Sequence, residues 1–339
     1  MTDLRPTDDL DRGLAALHAD VDTDLARIER TRSTLLDAVA HAPVRQRAPR
    51  RRWLLAAAAA LALVAGGSIY LTTLAGGSAE AKSSLEGAAQ QITSVSDPVV
   101  PPGQYRYLGS HTWTYGFTEI PGGGLEYLEE HTTETWIPAN IRGTWYRRET
   151  TTGRHQWIKG SDELAKKYGI TFDRKSTTTH AACGAFDGGG GACAADGSWQ
   201  DPSLAWLSGL PKDPDALYER LKQDAPRNER GETELLVYAQ DALRTGMLPA
   251  DTRATLYRAL GDLDDLQITD KAANLDGRIG IAYSSDDGSN REEIVIDPHT
   301  GAYIGSRQVS TNGPTRGRIE AYTSFINSVA PAPWKAPSK

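Results

Sequence analysis

One long uncharged stretch constrains the fold more than any other feature of this sequence. It runs for 27 residues, from Trp53 to Ala79, without an Asp, Glu, Lys or Arg. The hydrocarbon core of a bilayer is about 30 Å thick and takes roughly 20 helical residues to cross, so residues 53–76 are long enough to span it. A helix of this length buried in a soluble core is the alternative, but such a helix rarely is apolar on every face. We therefore predict a transmembrane helix over 53–76.

Basic residues immediately before this stretch predict its orientation. They are Arg45, Arg47, Arg50, Arg51 and Arg52, with no acidic residue between His41 and Arg52. Positively charged flanks stay on the cytoplasmic side of a membrane. The prediction is a single-pass protein of the cell membrane, with a cytoplasmic N-terminus and an extracytoplasmic C-terminal domain.

Two export signals are alternatives to an uncleaved anchor. Ala79-Glu80-Ala81 matches the small-residue pattern of a signal-peptidase site, and Arg50-Arg51-Arg52 is similar to a twin-arginine signal. A secretory signal begins within the first few residues of a chain, whereas 52 residues precede this stretch. An uncleaved anchor is therefore the favoured interpretation.

Residues 1–52 carry an amphipathic helical pattern, in which apolar residues recur mostly three or four positions apart from Leu10 to Val39. A single helix of this kind cannot form a core alone. Residues 10–40 are either a partner-binding helix that contacts a sigma factor or a poorly ordered tail. The segment has no Cys, which excludes the zinc-binding type of anti-sigma domain.

The remaining chain divides into a linker (77–102), one domain (103–329) and a disordered tail (330–339). The linker is interpreted as a short helix and a Pro-containing spacer. Within the domain, alternating strand patterns come first, capped helical patterns follow, and strand patterns return. This order predicts an α+β fold, in which helices cover the aromatic side of a curved antiparallel sheet.

The first strand of this domain places aromatic residues at alternate positions, on one side of the predicted sheet. They are Tyr105, Tyr107, Trp113, Tyr115 and Phe117. Two interpretations remain open for this aromatic side. It is either core beneath the helices or the lining of a groove for an apolar or cell-wall ligand.

The two cysteines, Cys183 and Cys193, bracket a Gly-rich loop, and outside the cell they are expected to form a disulfide. His180 precedes Cys183 by three residues, but a metal site there would lack a fourth ligand. The acidic run at 286–290 is interpreted as a hairpin turn rather than a calcium site. We predict no metal and no cofactor.

Composition and motifs narrow the classes of function. The net charge is −7, and the pI near 5.6 argues against a nucleic-acid partner, which requires a dense basic surface. The sequence contains no G-x-S-x-G, HExxH, P-loop or GxGxxG motif. We predict that the protein is not an enzyme and assign no catalytic residue.

Four motifs in the domain carry a resemblance to a known family. They are LPKDPDALYERL, ADTRATLYRALGDL, LDGRIGIAY and IVIDPHTGAYIG. With the Arg-rich segment and the Ala-rich span, they resemble an uncharacterised actinobacterial family of single-pass membrane proteins. Genes of that family often lie beside those of extracytoplasmic-function sigma factors, which implies a regulatory or envelope role.

A second resemblance concerns the fold alone. The aromatic strand and the IDPHTG hairpin are similar to the curved half-barrel of lipoprotein carriers and periplasmic anti-sigma co-regulators. The predicted function is an extracytoplasmic sensor or binding domain that regulates an envelope-stress sigma factor through the cytoplasmic helix. The alternative is a membrane-tethered module that binds lipid, lipoprotein or cell-wall material without a regulatory role.

Overall fold

The computed structural model describes residues 77–94 and 97–337. The helices of this part are α1 (Gly77–Ser94), α2 (Asp162–Lys167), α3 (Leu204–Ser208), α4 (Pro214–Asp224), α5 (Thr233–Arg244) and α6 (Ala250–Leu260). Its strands are β1 (Tyr105–Ile120), β2 (Gly123–Pro138), β3 (Thr144–Lys159), β4 (Lys175–Ala182), β5 (Gln267–Leu275), β6 (Arg278–Asp286), β7 (Asn290–Ile296), β8 (Tyr303–Ser310) and β9 (Ile319–Ala330).

All nine strands belong to one antiparallel sheet, in the order β4-β3-β2-β1-β9-β8-β7-β6-β5. Strands β1, β2 and β3 are each 16 residues long and rich in Thr and aromatic residues, which favour extended backbone. Gly122 and Gly123 adopt positive φ in the tight turn between β1 and β2, a backbone conformation that suits glycine. Strand β9 returns to pair with β1, so the two ends of the domain meet at the middle of the sheet.

The two sides of this sheet have different partners. On the helix-facing side, Leu108 of β1, Phe325 of β9 and Ile294 of β7 join one core with residues of the helices, including Leu217 of α4 and Leu256 of α6. The outer side carries the odd-numbered residues of β1, beginning with the aromatic ones. Helices therefore cover the side opposite to the one that the sequence predicted.

Helix α1 is part of the domain rather than a spacer ahead of it. Ala81, Leu85 and Ala89 are fully buried, and the helix packs against α6 and β5. Arg258 of α6 donates a 2.8 Å hydrogen bond to Glu86 of α1. Residues 77–94 of the predicted linker thus contribute to the core.

The predicted fold class is wrong. The described residues form mainly a large nine-stranded antiparallel sheet with few helices, whereas the prediction was an α+β domain behind a cytoplasmic helix and a transmembrane helix. Helix α1 has 18 residues, but Glu80, Lys82 and Glu86 make it too polar to cross a bilayer. Strand β9 pairs with β1 across more than 200 residues of sequence, a pairing that a local pattern does not contain.

The predicted single-pass topology and cell-membrane localisation are contradicted as well. In 77–94 and 97–337, the helices are all too short or too polar to span a bilayer. The predicted span 53–76, the basic residues that flank it and the segment 1–52 lie outside the described residues. Predictions for those three regions therefore have no structural counterpart here.

Candidate functional site

A groove opens on the helix-facing side of the sheet where the helices end. Its volume is about 360 Å³, and it is bounded by β1, β2, β3 and β9, by the end of α5 and by the loop that follows β4. Helices α4, α5 and α6 pack near the other half of the sheet, so this half of the helix-facing side is left open. The strands and the loop together form a concave surface within the described domain.

Side chains of two kinds line the groove. Hydroxyl groups on the strands form its floor, and they belong to Ser110, Thr112, Thr133, Thr135 and Thr323. Apolar side chains form its walls, and they belong to Leu108, Trp145, Phe186, Met247 and Phe325. A surface of this kind suits a ligand with an apolar body and a polar end.

The loop after β4 forms one wall and is held in place by the disulfide between Cys183 and Cys193, which pairs the residues that the sequence predicted. Cys183 accepts a 2.8 Å backbone hydrogen bond from Ala192 and donates one of the same length to Gly143. Gly184 adopts positive φ and lies against the Trp145 ring, where a Cβ atom would be 2.4 Å from Cε3. The loop therefore packs closely on the wall residue beneath it.

A smaller cavity of about 260 Å³ continues the groove between α5 and strands β8 and β9. The two share Thr112, Arg244 and Thr323. Gln240 lines the smaller cavity, and its buried Oε1 has no hydrogen-bond partner among the described residues. This end of the groove therefore offers polar contacts.

Two arginines face the groove. The Arg147 guanidinium lies 4.0 Å from the centre of the Phe186 ring and 4.0 Å from the Asp187 carboxylate. Arg244 donates a 2.7 Å hydrogen bond to Asp241. The main groove is also lined by the carboxylate of Asp201, which is exposed to solvent. Arg244 thus has a close carboxylate partner, which lines the smaller cavity, whereas the Asp187 carboxylate is 4.0 Å from Arg147.

The aromatic residues that the sequence singled out lie on the outer side and do not line the groove. Tyr105 and Tyr107 pack in a cluster with Trp136 and Tyr146, Trp113 is buried, and Tyr115 and Phe117 are exposed. The groove is instead lined by even-numbered residues of the same strand, Leu108, Ser110 and Thr112. Their alternation was visible in the sequence, but the hydroxyl groups of Ser110 and Thr112 suggested a solvated side.

The C-terminal residues 331–337 pack on this outer aromatic cluster. The Trp334 ring lies 5.3 Å from that of Trp136, whose Nε1 donates a 2.7 Å hydrogen bond to the Lys335 carbonyl. This part of the predicted disordered tail therefore covers aromatic surface. His180 lies on the same side, beside Tyr146. Within the described residues no group of His, Cys, Asp and Glu is arranged to hold a metal ion.

The outer side also holds a charged network around Glu130, a buried carboxylate of β2. It accepts hydrogen bonds from Arg154, Thr152 and His111. Burial raises the pKa of Glu130, but these three hydrogen bonds and the Arg154 charge outweigh burial and lower it to about 2. Arg154 and His111 thus stabilise the ionised form of Glu130 and link β1, β2 and β3.

Comparisons with known proteins add little to this geometry. No family model matches the chain, and no curated protein matches it. A solved structure of a DUF1329 family protein from Desulfovibrio piger matches with 10% identity over 76% of this chain and 95% of that chain, at a TM-score of 0.19. A similarity this weak supports no conclusion about fold or function. The predicted sigma-factor contact of residues 10–40 lies outside the described residues and stays a prediction.

Proposed function

We propose that this protein is a binding protein that holds a small amphiphilic molecule in the groove. The observation that supports this most is the groove itself, about 360 Å³ in volume, with apolar walls and a hydroxyl-lined floor. Pockets for small ligands commonly measure about 300–1,000 Å³ and combine apolar walls with a few placed polar groups. The volume of the groove lies in this range, and its lining combines apolar and polar groups.

The walls provide the apolar contact that such a ligand needs. Trp145, Phe186 and Met247 come from β3, the disulfide loop and the segment after α5, so a ligand between them contacts three separate elements. Burial of apolar surface contributes about 25 cal/mol per Å². The floor hydroxyls of Thr133 and Thr135 are then available to the polar end of the ligand.

The chemistry of the lining favours binding over catalysis. The Cys183 sulfur is held in a disulfide and is not available as a nucleophile. Asp201 is an exposed carboxylate, and no histidine is among the residues that line the groove. A general base beside a nucleophile, which acyl or phosphoryl transfer requires, is thus missing from this lining.

Binding of a neutral fluorescent amphiphile tests the proposal. We expect N-phenyl-1-naphthylamine to bind the full-length chain saturably, with a rise in fluorescence as it leaves water. Thr133→Trp places an indole in the groove and is expected to weaken this binding at least about tenfold. The measurement is a fluorescence titration of both proteins at equal concentration.

Thr178→Trp is the matched control, because Thr178 is an exposed threonine on the outer side of edge strand β4. It adds the same indole away from the groove, so its affinity for the probe should equal that of the wild type. The proposal fails when the wild type does not bind the probe or when a folded Thr133→Trp variant binds it as tightly.

A further inference from the structure

We propose that the groove selects anionic amphiphiles, with Arg147 as the residue that binds a carboxylate or phosphate head group. This inference rests on the proposed function and adds the chemical class of the ligand. The guanidinium of Arg147 faces the groove and has no close carboxylate partner among the described residues.

Arg147 lacks the close acceptor that comparable arginines have. Its side chain is 28% exposed, and the ion pair described for it is 4.0 Å long, to an Asp187 side chain that is 93% exposed. Arg291 has the same exposure, yet it donates to Glu293 at 2.8 Å. No Arg147 nitrogen is among the buried polar atoms that lack a partner in the described residues, so its N–H groups open to the groove, where a ligand anion can replace water as their acceptor.

The surroundings of Arg147 fix its orientation. Phe186 lies 4.0 Å from the guanidinium carbon, close enough for a cation–π contact with the face of the group. This contact leaves the edge of the guanidinium, with its N–H donors, free for a carboxylate or phosphate. Thr135 and Thr179 are its partners on the neighbouring strands and flank it with further hydroxyls.

A second arginine lines the groove and is already paired with a carboxylate. Arg244, whose side chain is 48% exposed, also lines the groove and donates to Asp241 through one of its nitrogens. Asp201, which is exposed, lines the main groove, and Asp241 and Glu292 line the smaller cavity that continues it. Each arginine thus has a carboxylate near it, and Arg147, whose partner is the more distant and more exposed one, is the better placed to bind a ligand anion.

Competition against N-phenyl-1-naphthylamine separates head-group chemistry from apolar binding. The competitors are dodecanoate, dodecyl phosphate and 1-dodecanol, which share one alkyl chain. We expect one or both anions to displace the probe at least about tenfold more effectively than the alcohol. The more effective anion identifies the head group, carboxylate or phosphate.

Substitution of the arginine then assigns this preference to one side chain. Arg147→Gln is expected to lose about tenfold in affinity for the preferred anion and to keep the affinity of the wild type for 1-dodecanol. Arg227→Gln removes an exposed arginine that does not line the groove and should leave both affinities unchanged. The wild-type comparison alone tests the inference if Arg147→Gln does not fold.

Two results would overturn the inference in different ways. Equal displacement by the anions and the alcohol contradicts anion selection and leaves the proposed function standing. Failure of the probe to bind the wild type at all contradicts the proposed function together with the inference.

Discussion

His111 lies on the outer side of the sheet with a carboxylate at each ring nitrogen. Its Nδ1 is 2.6 Å from Asp276 in the β5–β6 turn, and its Nε2 is 2.6 Å from Glu130. Burial lowers the pKa of the imidazole, but the hydrogen bonds and charges of both carboxylates outweigh burial and raise the pKa of His111 above its ordinary value of 6.5. The protonated ring donates to both carboxylates and ties the turn to β1 and β2.

A pH dependence of stability follows from this arrangement. A pKa raised in the folded state gives a contribution that is fully present below pH 6.5 and is lost as the pH rises through the folded-state pKa. We expect His111→Gln to lower the free energy of unfolding by roughly 1–2 kcal/mol at pH 6 and by less at pH 9. Urea denaturation of both proteins at the two pH values measures this difference.

His299→Gln is the control for this experiment, because His299 is an exposed residue in the turn between β7 and β8. Its effect on unfolding should be the same at both pH values. If the loss of stability caused by His111→Gln is larger at pH 9 than at pH 6, the protonated His111 ring does not stabilise the fold through Asp276 and Glu130.

Among the elements, the disulfide loop contributes both to stability and to the groove. The bond links residues ten positions apart, and closing a loop of this size stabilises the folded state by about 2–3 kcal/mol in the chain-entropy model. The double substitution Cys183→Ala and Cys193→Ala is expected to lower the free energy of unfolding by that amount. It should also weaken probe binding, because Phe186 and Ala192 of the same loop line the groove.

The chain has two cysteines, so a reducing agent provides a matched control. Dithiothreitol should lower the urea midpoint of the wild type to that of the double variant and leave the variant unchanged. A double variant as stable as the oxidised wild type would show that the loop is held by its other contacts alone.

The sequence predicted individual elements better than their arrangement. Alternating aromatics located β1, and Asp213 with Pro214 marked the start of α4, where Asp213 does accept a 3.0 Å capping hydrogen bond from Ala216. These signals are local. The side of β1 that contacts the helices is decided by distant partners such as Ile294 and Phe325, which a local pattern does not contain.

The groove shows the same limit. Leu108, Ser110 and Thr112 occupy alternate positions as regularly as the aromatic residues between them. Hydroxyl residues on a strand, however, usually indicate a side that faces solvent. Their role depends on the loop after β4 and on the end of α5, which are more than 70 residues away in the sequence. Of the features that the sequence analysis selected, the Cys183–Cys193 pair lies in the loop that forms a wall of the groove.

For the whole molecule, the central claim is that a ligand lies on the helix-facing side of the sheet and not on its aromatic outer side. Helices cover one half of the helix-facing side, and the disulfide loop encloses the other half as a groove. The outer side carries Tyr115 and Phe117, which the sequence offered as ligand contacts and which are exposed. A direct contact between ligand and side chain distinguishes the two locations.

Intermolecular nuclear Overhauser effects provide that contact. The chain has two methionines, so a sample labelled at methionine methyl groups and at the rings of Trp, Tyr and Phe gives methyl signals from Met1 and Met247, and Met247 lines the groove. With N-phenyl-1-naphthylamine bound, we predict contacts from its protons to the Met247 methyl group and to the Trp145 indole. Contacts to Tyr115 and Phe117, with none to Met247, would contradict the account.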